Sequence, residues 1–277
     1  MLDRIFLRKK LEEFYLEDVG YKDITTDNLS ADRDITGHII FKEDGIVAGL
    51  EFAKEVFLLV NNSLNISLLK KDGDFVKKGE RVLLVKGSGK SILKGERLAL
   101  NILQRLSGIA TNTYRYTEKI KDLKTKLLDT RKTTPGFRAF EKYAVQVGGG
   151  YNHRFALYDM VMIKDNHISM VGGIKKAVEE IKRKVSPMVK IEVEVSSLTE
   201  VEEALEAQVD IIMLDNMSIE DMKKAVSIIG DKAKTEASGN ITIENIRKVA
   251  LTGVDFISSG SIIHSSRWLD ISLKFSF

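Results

Sequence analysis

Cationic side chains crowd one stretch of the chain. From Leu128 to Ile168 it reads LDTRKTTPGFRAFEKYAVQVGGGYNHRFALYDMVMIKDNHI. Arg131, Lys132, His153, Arg154, Lys164 and His167 all fall inside it, each beside a glycine, a proline or an expected strand end. Guanidinium forks and ammonium point charges are the donors that hold carboxylate and phosphate. Such spacing suits an anion pocket better than a solvated basic face. Charge alone does not make that case, because 30% of the chain is Asp, Glu, Lys or Arg. The arrangement does.

The elements that must place these groups are regular. Short β-like runs at 126–130, 158–163, 188–195, 209–214, 232–236 and 254–258 alternate with helical patterns at 138–147, 171–184, 199–207, 218–229 and 242–251. Strands alternating with helices imply parallel pairing through right-handed crossovers, and six such units approach a closed barrel. Polar groups follow each run. They are Asp129-Thr130-Arg131-Lys132, Lys164-Asp165-Asn166-His167, Glu192 with Glu194 on one face, Asp215-Asn216, Glu236 through Asn240, and Ser258 through Ser261. In a β/α barrel these C-terminal strand ends meet at one mouth, where active sites sit.

Two of the loops suit phosphate. Ser238-Gly239-Asn240 and Ser259-Gly260-Ser261 are small and precede helical segments; glycine lets the backbone approach a ligand, and a helix N-terminus offers free N–H groups. Glu194 and Asp215 offer oxygen to a hard cation such as magnesium, and the chain has no HExxH or Cys/His cluster for zinc. A carboxylate facing a lysine is an equal reading for either residue alone. Together these features describe a barrel enzyme handling a phosphorylated sugar and a polyanionic partner.

The N-terminal part differs in pattern. Residues 2–18 have helical spacing, 37–43 suit a strand ended by Gly45, and 49–60 read as a helix. Asp72 to Glu80 holds two turn signals around short strands, like the hairpins of lipoyl and biotin carriers, but without their tip lysine; a packing sheet is the better reading. Helical pattern covers 93–120, with Leu98, Ile102, Leu103, Leu106, Ile109 and Ala110 as an apolar stripe and Gly108 marking a close crossing or a break. Arg97 stands beside Glu96 there, by itself no more than a surface ion pair.

Composition sets outer bounds. The 277 residues suit two modest domains or one barrel with an extension. Forty-three basic against 40 acidic residues, net +3, predict no nucleic-acid partner. Zero cysteines exclude disulfides and a thiolate nucleophile. Charges interrupt every short apolar run of the N-terminus, so no signal peptide or membrane anchor is expected, and the protein is expected in the cytoplasm.

Several segments resemble the quinolinate phosphoribosyltransferase family closely. They are Glu96 to Thr111, Leu127 to Ile168 with DTRKTTPG and GGGYNHR, Glu192 to Ser197, Glu236 to Asn240 and Asp255 to Leu273, with EDVGYKDITT and DGIVAGLEFAKEVF earlier. The resemblance implies an α/β chain, a small N-terminal α/β sandwich domain (1–109) followed by a C-terminal β/α barrel of about six units (110–277). It implies transfer of phosphoribose from 5-phosphoribosyl-1-pyrophosphate to quinolinate with Mg²⁺ and loss of CO₂. It also implies homodimers whose subunits share each site, with a hexamer left open. Arg97 would then reach the partner's site. Thr130, Arg131, Lys132, His153, Arg154 and Lys164 would line the quinolinate and pyrophosphate pocket, with Lys132 and Lys164 acting electrostatically in catalysis. Glu194 and Asp215 would meet ribose hydroxyls and magnesium, directly or through water. Ser238, Gly239, Asn240, Ser259, Gly260 and Ser261 would cradle the 5′-phosphate. His153 is open between substrate contact and ordering the glycine-rich turn; His167 and His264 are read as structural, and Arg105, Arg138 and Lys142 as surface pairs. The nearest rival on the same fold, a molybdenum-transport paralogue, lacks the Lys-Asp-Asn-His ending seen at Lys164.

Overall fold

The computed structural model describes residues 2–276. In chain order, helix α1 (Arg4–Val19) is followed by strands β1 (Asp34–Phe41) and β2 (Gly45–Ile46), helix α2 (Leu50–Val60), strands β3 (Asn65–Leu68), β4 (Phe75–Val76) and β5 (Arg81–Ser88), and the long helix α3 (Gly89–Glu118). Strand β6 (Lys126–Leu128) and helix α4 (Arg138–Val147) come next, then β7 (Val161–Ile163), α5 (Asp165–Val171) and α6 (Ile174–Lys182). The chain continues with β8 (Ile191–Val195), α7 (Leu198–Glu206), β9 (Ile211–Asp215), α8 (Ile219–Ile229), β10 (Lys234–Ser238) and α9 (Ile246–Ala250). It ends with β11 (Phe256–Ser258), α10 (Ser261–His264) and β12 (Ile271–Ser276). Two compact units result: the chain up to Tyr114 with Thr134–Gly149 and the segment from Ser266, and Arg115–Thr133 with Gly150–Ser265.

In the first unit an antiparallel sheet in the order β12-β1-β5-β3 is built from alternating apolar residues. The apolar stripe expected on α3 is buried throughout, from Leu98 to Ala110. Each such side chain contributes about 1.5–3 kcal/mol on leaving water, which is why helical pattern here outweighs the charged residues between. Gly108 marks a close crossing and no break: a Cβ there would sit 2.0 Å from the Arg267 carbonyl oxygen. The 72–80 segment serves packing, because Asp72 accepts the N–H groups of Gly49 and Leu50 at the start of α2 and the hydroxyl of Tyr143.

Helix α4, which strand–helix alternation assigns to the first barrel unit, packs in this first unit. Phe140 is fully buried, edge-on to Phe52 and tilted against Phe14. Arg105 and Lys142, expected as surface pairs, lie inside this unit. Lys142 is 1% exposed, and Arg105 pairs with the wholly buried Glu141. An interior helix carries such groups only where partners satisfy them.

The second unit holds a parallel sheet in the order β6-β11-β10-β9-β8-β7, the sheet of a β/α barrel. A parallel bridge from Leu128 to Tyr151 lays the Tyr151 segment beside β6. Five of the six expected runs start two or three residues early, while the first strand starts at Lys126 as expected and ends two residues sooner. Tyr158, read as strand, is 84% exposed, and pairing begins only at Val161. The helix expected at 171–184 is α6, which starts only after Gly172-Gly173, and a further helix not expected there, α5, covers Asp165–Val171. Ser197 and Ser218 cap α7 and α8 by accepting the N–H groups of Glu200 and Asp221. No helix among the described residues is long and apolar enough to cross a membrane.

Candidate active site at the barrel mouth

A cavity of about 780 Å³ opens where the C-terminal ends of the six parallel strands meet, all within the second unit. Thr130, Arg131 and Lys132 reach it from the end of β6, His153 and Arg154 from the adjoining segment, and Lys164 from the end of β7. Glu194 enters from β8 and Asp215 from β9. Ser238, Gly239 and Asn240 close it after β10, and Ser259, Gly260 and Ser261 after β11. Arg97 lies elsewhere, exposed on α3 in the first unit.

Pairings inside the cavity are specific. Lys164 Nζ donates to Glu194 Oε2, so the ammonium charge is neutralised locally until a ligand competes for it. Asn216 Nδ2 donates to Asp215 Oδ2 at 2.7 Å. The Asn216 Oδ1 then accepts Asn240 Nδ2 at 3.0 Å, tying the loops after β9 and β10 together. Asn216 and Asn240 both hold positive φ, 53° and 49°, a backbone that asparagine tolerates better than most residues. Ser259 is 5% exposed and bonds the Ile241 carbonyl and the Ser261 hydroxyl. Its hydroxyl therefore shapes the loop, while Gly260 leaves the open wall.

Arg154 is braced by two bonds, from Nη1 to the Met160 carbonyl at 2.9 Å and from Nη2 to the Met162 sulfur at 3.6 Å. Burial and then the Arg131 charge hold its guanidinium below the usual arginine range; arginine stays charged even so. Under these cations lies acid. Burial pushes the Glu192 carboxyl up to about 7 and the Glu236 carboxyl up to about 8, the Glu192 charge adding to the second shift.

The donor set fits a hard cation. The carboxylates among the cavity-lining residues are Glu194 and Asp215, and each has one oxygen taken, by Lys164 and Asn216 respectively. Carboxylate oxygens of this kind suit magnesium.

Sequence reasoning missed part of the lining. His264, read as structural, lines the cavity, its ring 3.1 Å from where a Gly260 Cβ would stand. A signal existed: it lies three residues past Ser261, one turn along a helix that starts at the mouth. Met162 and Met213 line it too, with no signal beyond their place near strand ends. His167 is structural as read; its Nδ1 accepts the Lys164 N–H at 3.0 Å and caps α5.

Comparison with known proteins accords with this geometry. Residues 23–107 match the family model for the quinolinate phosphoribosyl transferase N-terminal domain, and 109–274 match that for its C-terminal domain. The chain is 43% identical over 272 residues to the probable nicotinate-nucleotide pyrophosphorylase [carboxylating] of Bacillus subtilis, covering 98% of this chain and 94% of that one. It is 41% identical over 264 residues to a mitochondrial quinolinate phosphoribosyltransferase [decarboxylating] of Nicotiana tabacum, covering 89% and 75%. The solved nicotinate-nucleotide pyrophosphorylase of Francisella tularensis superposes with a TM-score of 0.95 at 43% identity, covering 100% of this chain and 98% of that one. With model matches across both parts of the chain and full-length relatives above 40% identity, the chain belongs to the quinolinate phosphoribosyl transferase family.

Proposed function

We propose that this enzyme joins quinolinate to 5-phosphoribosyl-1-pyrophosphate and removes one carboxyl group, giving nicotinate mononucleotide, pyrophosphate and CO₂, a step of de novo NAD synthesis in the cytoplasm. The observation that carries this reading is the lining of one cavity by four cations, two carboxylates and two serine-glycine loops. Arg131, Lys132, Arg154 and Lys164 match the two carboxylates of the pyridine and the leaving pyrophosphate. Ser238, Gly239, Asn240, Gly260 and Ser261 match the 5′-phosphate, with Ser259 behind them and Thr130 beside the cations.

The residues act mainly by charge. As pyrophosphate departs, the ribose C1 becomes cation-like; Lys132 and Lys164 stabilise the leaving group, and Glu194 and Asp215 face the developing positive charge. Glu194 and Asp215 would hold magnesium, directly or through water, and the bound ion would supply further neutralisation of pyrophosphate. Once the nitrogen is alkylated, the bond from C2 to its carboxylate breaks and CO₂ leaves. The electron pair stays on C2 beside the pyridinium charge, and C2 then takes up a proton from solvent, so the pocket's main task is to orient the ring. No proton shuttle is required of either lysine.

Incubation with quinolinate, phosphoribosyl pyrophosphate and Mg²⁺ tests the reading. Pyrophosphate release that depends on quinolinate is expected; release without it, or none, overturns it. Gly239→Ala probes the phosphate loop. Gly239 sits at φ +93°, and a Cβ would lie 2.2 Å from Asn216 Oδ1, so the loop must move. An ångström of misplacement is worth about 10²-fold, and kcat/KM for phosphoribosyl pyrophosphate should fall by about that factor while the backbone strain, about 1–3 kcal/mol, lowers the melting curve only moderately.

The proposal includes a homodimer in which Arg97 of one subunit serves its partner's mouth. Arg97→Ala and Lys132→Ala, each nearly inactive alone, should then regain activity when subunits are exchanged. Absence of recovery in verified mixed dimers counts against the shared site.

A further inference from the structure

Beneath the cavity, on the inward face of two alternate strands, Glu192 and Glu236 stand one layer below Glu194 and Ser238. Alternate strands contribute the side chains of a barrel layer, so the carboxyls meet. Glu192 is 0% and Glu236 1% exposed. Into the space between them projects one ring, that of His153, with Nε2 3.1 Å from Glu192 Oε2 and 3.5 Å from Glu236 Oε2. Its other nitrogen is also engaged, since Nδ1 accepts the N–H of Arg154 at 2.6 Å. The His153 N–H donates to Asp129 Oδ1 at 2.9 Å, so backbone and ring are fixed together.

These contacts decide the tautomer. A ring that accepts at Nδ1 carries its hydrogen on Nε2 when neutral, and the buried carboxyls of Glu192 and Glu236 are the charged groups beside that nitrogen, both Glu192 oxygens being without a hydrogen bond of their own. The His153, Glu192 and Glu236 ligand atoms all lie within 4.8 Å of one another, a spacing open to a metal ion. Ligation through Nε2 needs the opposite tautomer, which would set two N–H donors against each other at 2.6 Å. The geometry therefore favours a hydrogen over a metal at this point.

We infer that Glu192 and Glu236 are positioning residues for the reaction. They hold the His153 imidazole as an Nε2–H donor turned away from substrate, so the ring braces the Arg154 backbone and takes no part in proton transfer. The consequence is selective. Arg154 belongs to the cationic wall, and its guanidinium is tied to Met160 and Met162 on the way to β7. Loss of the brace tilts that guanidinium away from the carboxylate it receives. Binding of the pyridine dicarboxylate suffers, and the intrinsic charge stabilisation by Lys132 and Lys164 remains. This rests on reading the mouth as the quinolinate site.

The test uses the whole protein labelled with ¹⁵N-histidine. The chain has four histidines, so the His153 ring signals are assigned by their loss in His153→Asn. The wild type is expected to show His153 as a single Nε2–H tautomer, with a second tautomer or exchange broadening in Glu192→Gln and Glu236→Gln. In the same variants the quinolinate KM should rise about ten- to a hundredfold, the size of misplacing a binding group by up to an ångström, with kcat reduced far less. An Nδ1–H tautomer in the wild type overturns the inference, and so do variants that fold but leave both ring signals and KM unchanged. If either variant fails to fold, the wild-type tautomer still decides. A wild type without quinolinate-dependent turnover defeats the functional reading alone, because the ring measurement needs no substrate.

Discussion

Lys164→Ala is expected to lower kcat about 10²- to 10³-fold with the fold intact, the usual loss when one preorganised donor to developing charge is removed. The side chain is 42% exposed, so truncation opens no internal cavity. Its helix-capping contact with His167 runs through the backbone N–H and survives. The catalytic loss has two sources. On the proposed chemistry a cation is lost from beside the leaving pyrophosphate, and Glu194 loses the ammonium that neutralises it. A bare carboxylate then repels both anionic substrates. The double variant Lys164→Ala/Glu194→Ala separates these sources, because residues acting as a unit are strongly non-additive. It should be little worse than the poorer single variant. Steady-state rates on the four proteins, with circular dichroism as the fold control, check this; strictly additive losses, or a Lys164→Ala rate within a few-fold of wild type, contradict the unit.

How far the sequence could be read follows from what each residue needs. The strand ends were legible because a parallel barrel sheet puts its polar residues at one end, and Arg131, Lys132, Arg154 and Lys164 duly line one cavity. The stripe on α3 was legible because helical period repeats over many residues. Boundaries were not: Tyr158 has the β-propensity of a strand residue, and only the pairing partner at Ile191 decides that the strand starts at Val161. Helix α4 follows a barrel strand in sequence, but nothing in its own pattern says that Phe140 will meet Phe14 and Phe52. The acid beneath the mouth hid for a similar reason. Glu192 and Glu194 stand on the same face two apart, and depth in the barrel alone separates a buried brace from a wall of the cavity.

Depth also governs the largest stability effect. Glu141 is wholly buried, yet its carboxylate is saturated. Oε1 accepts Arg105 Nε at 2.9 Å and Nη2 at 2.6 Å together with the Thr134 hydroxyl at 2.9 Å, and Oε2 accepts the Thr134 N–H at 2.8 Å. Arg105 spends its remaining arm on the Ser266 carbonyl at 2.9 Å. The pair thus joins α3, the turn before α4 and the segment leading to β12, three stretches distant in sequence. Glu141→Ala leaves a guanidinium only 12% exposed without its counter-charge, and breaking a buried pair from one side costs about 3–5 kcal/mol. For a chain of this size that corresponds to a melting temperature lower by roughly ten degrees. Removing both charges has a different sign of argument: Arg105→Met/Glu141→Leu fills the space without a stranded ion, and such exchanges are often neutral. The double variant should therefore melt well above Glu141→Ala, although Ser266 and Thr134 each lose a partner. Thermal denaturation of the three proteins checks this, and a Glu141→Ala protein melting within a degree or two of wild type contradicts it.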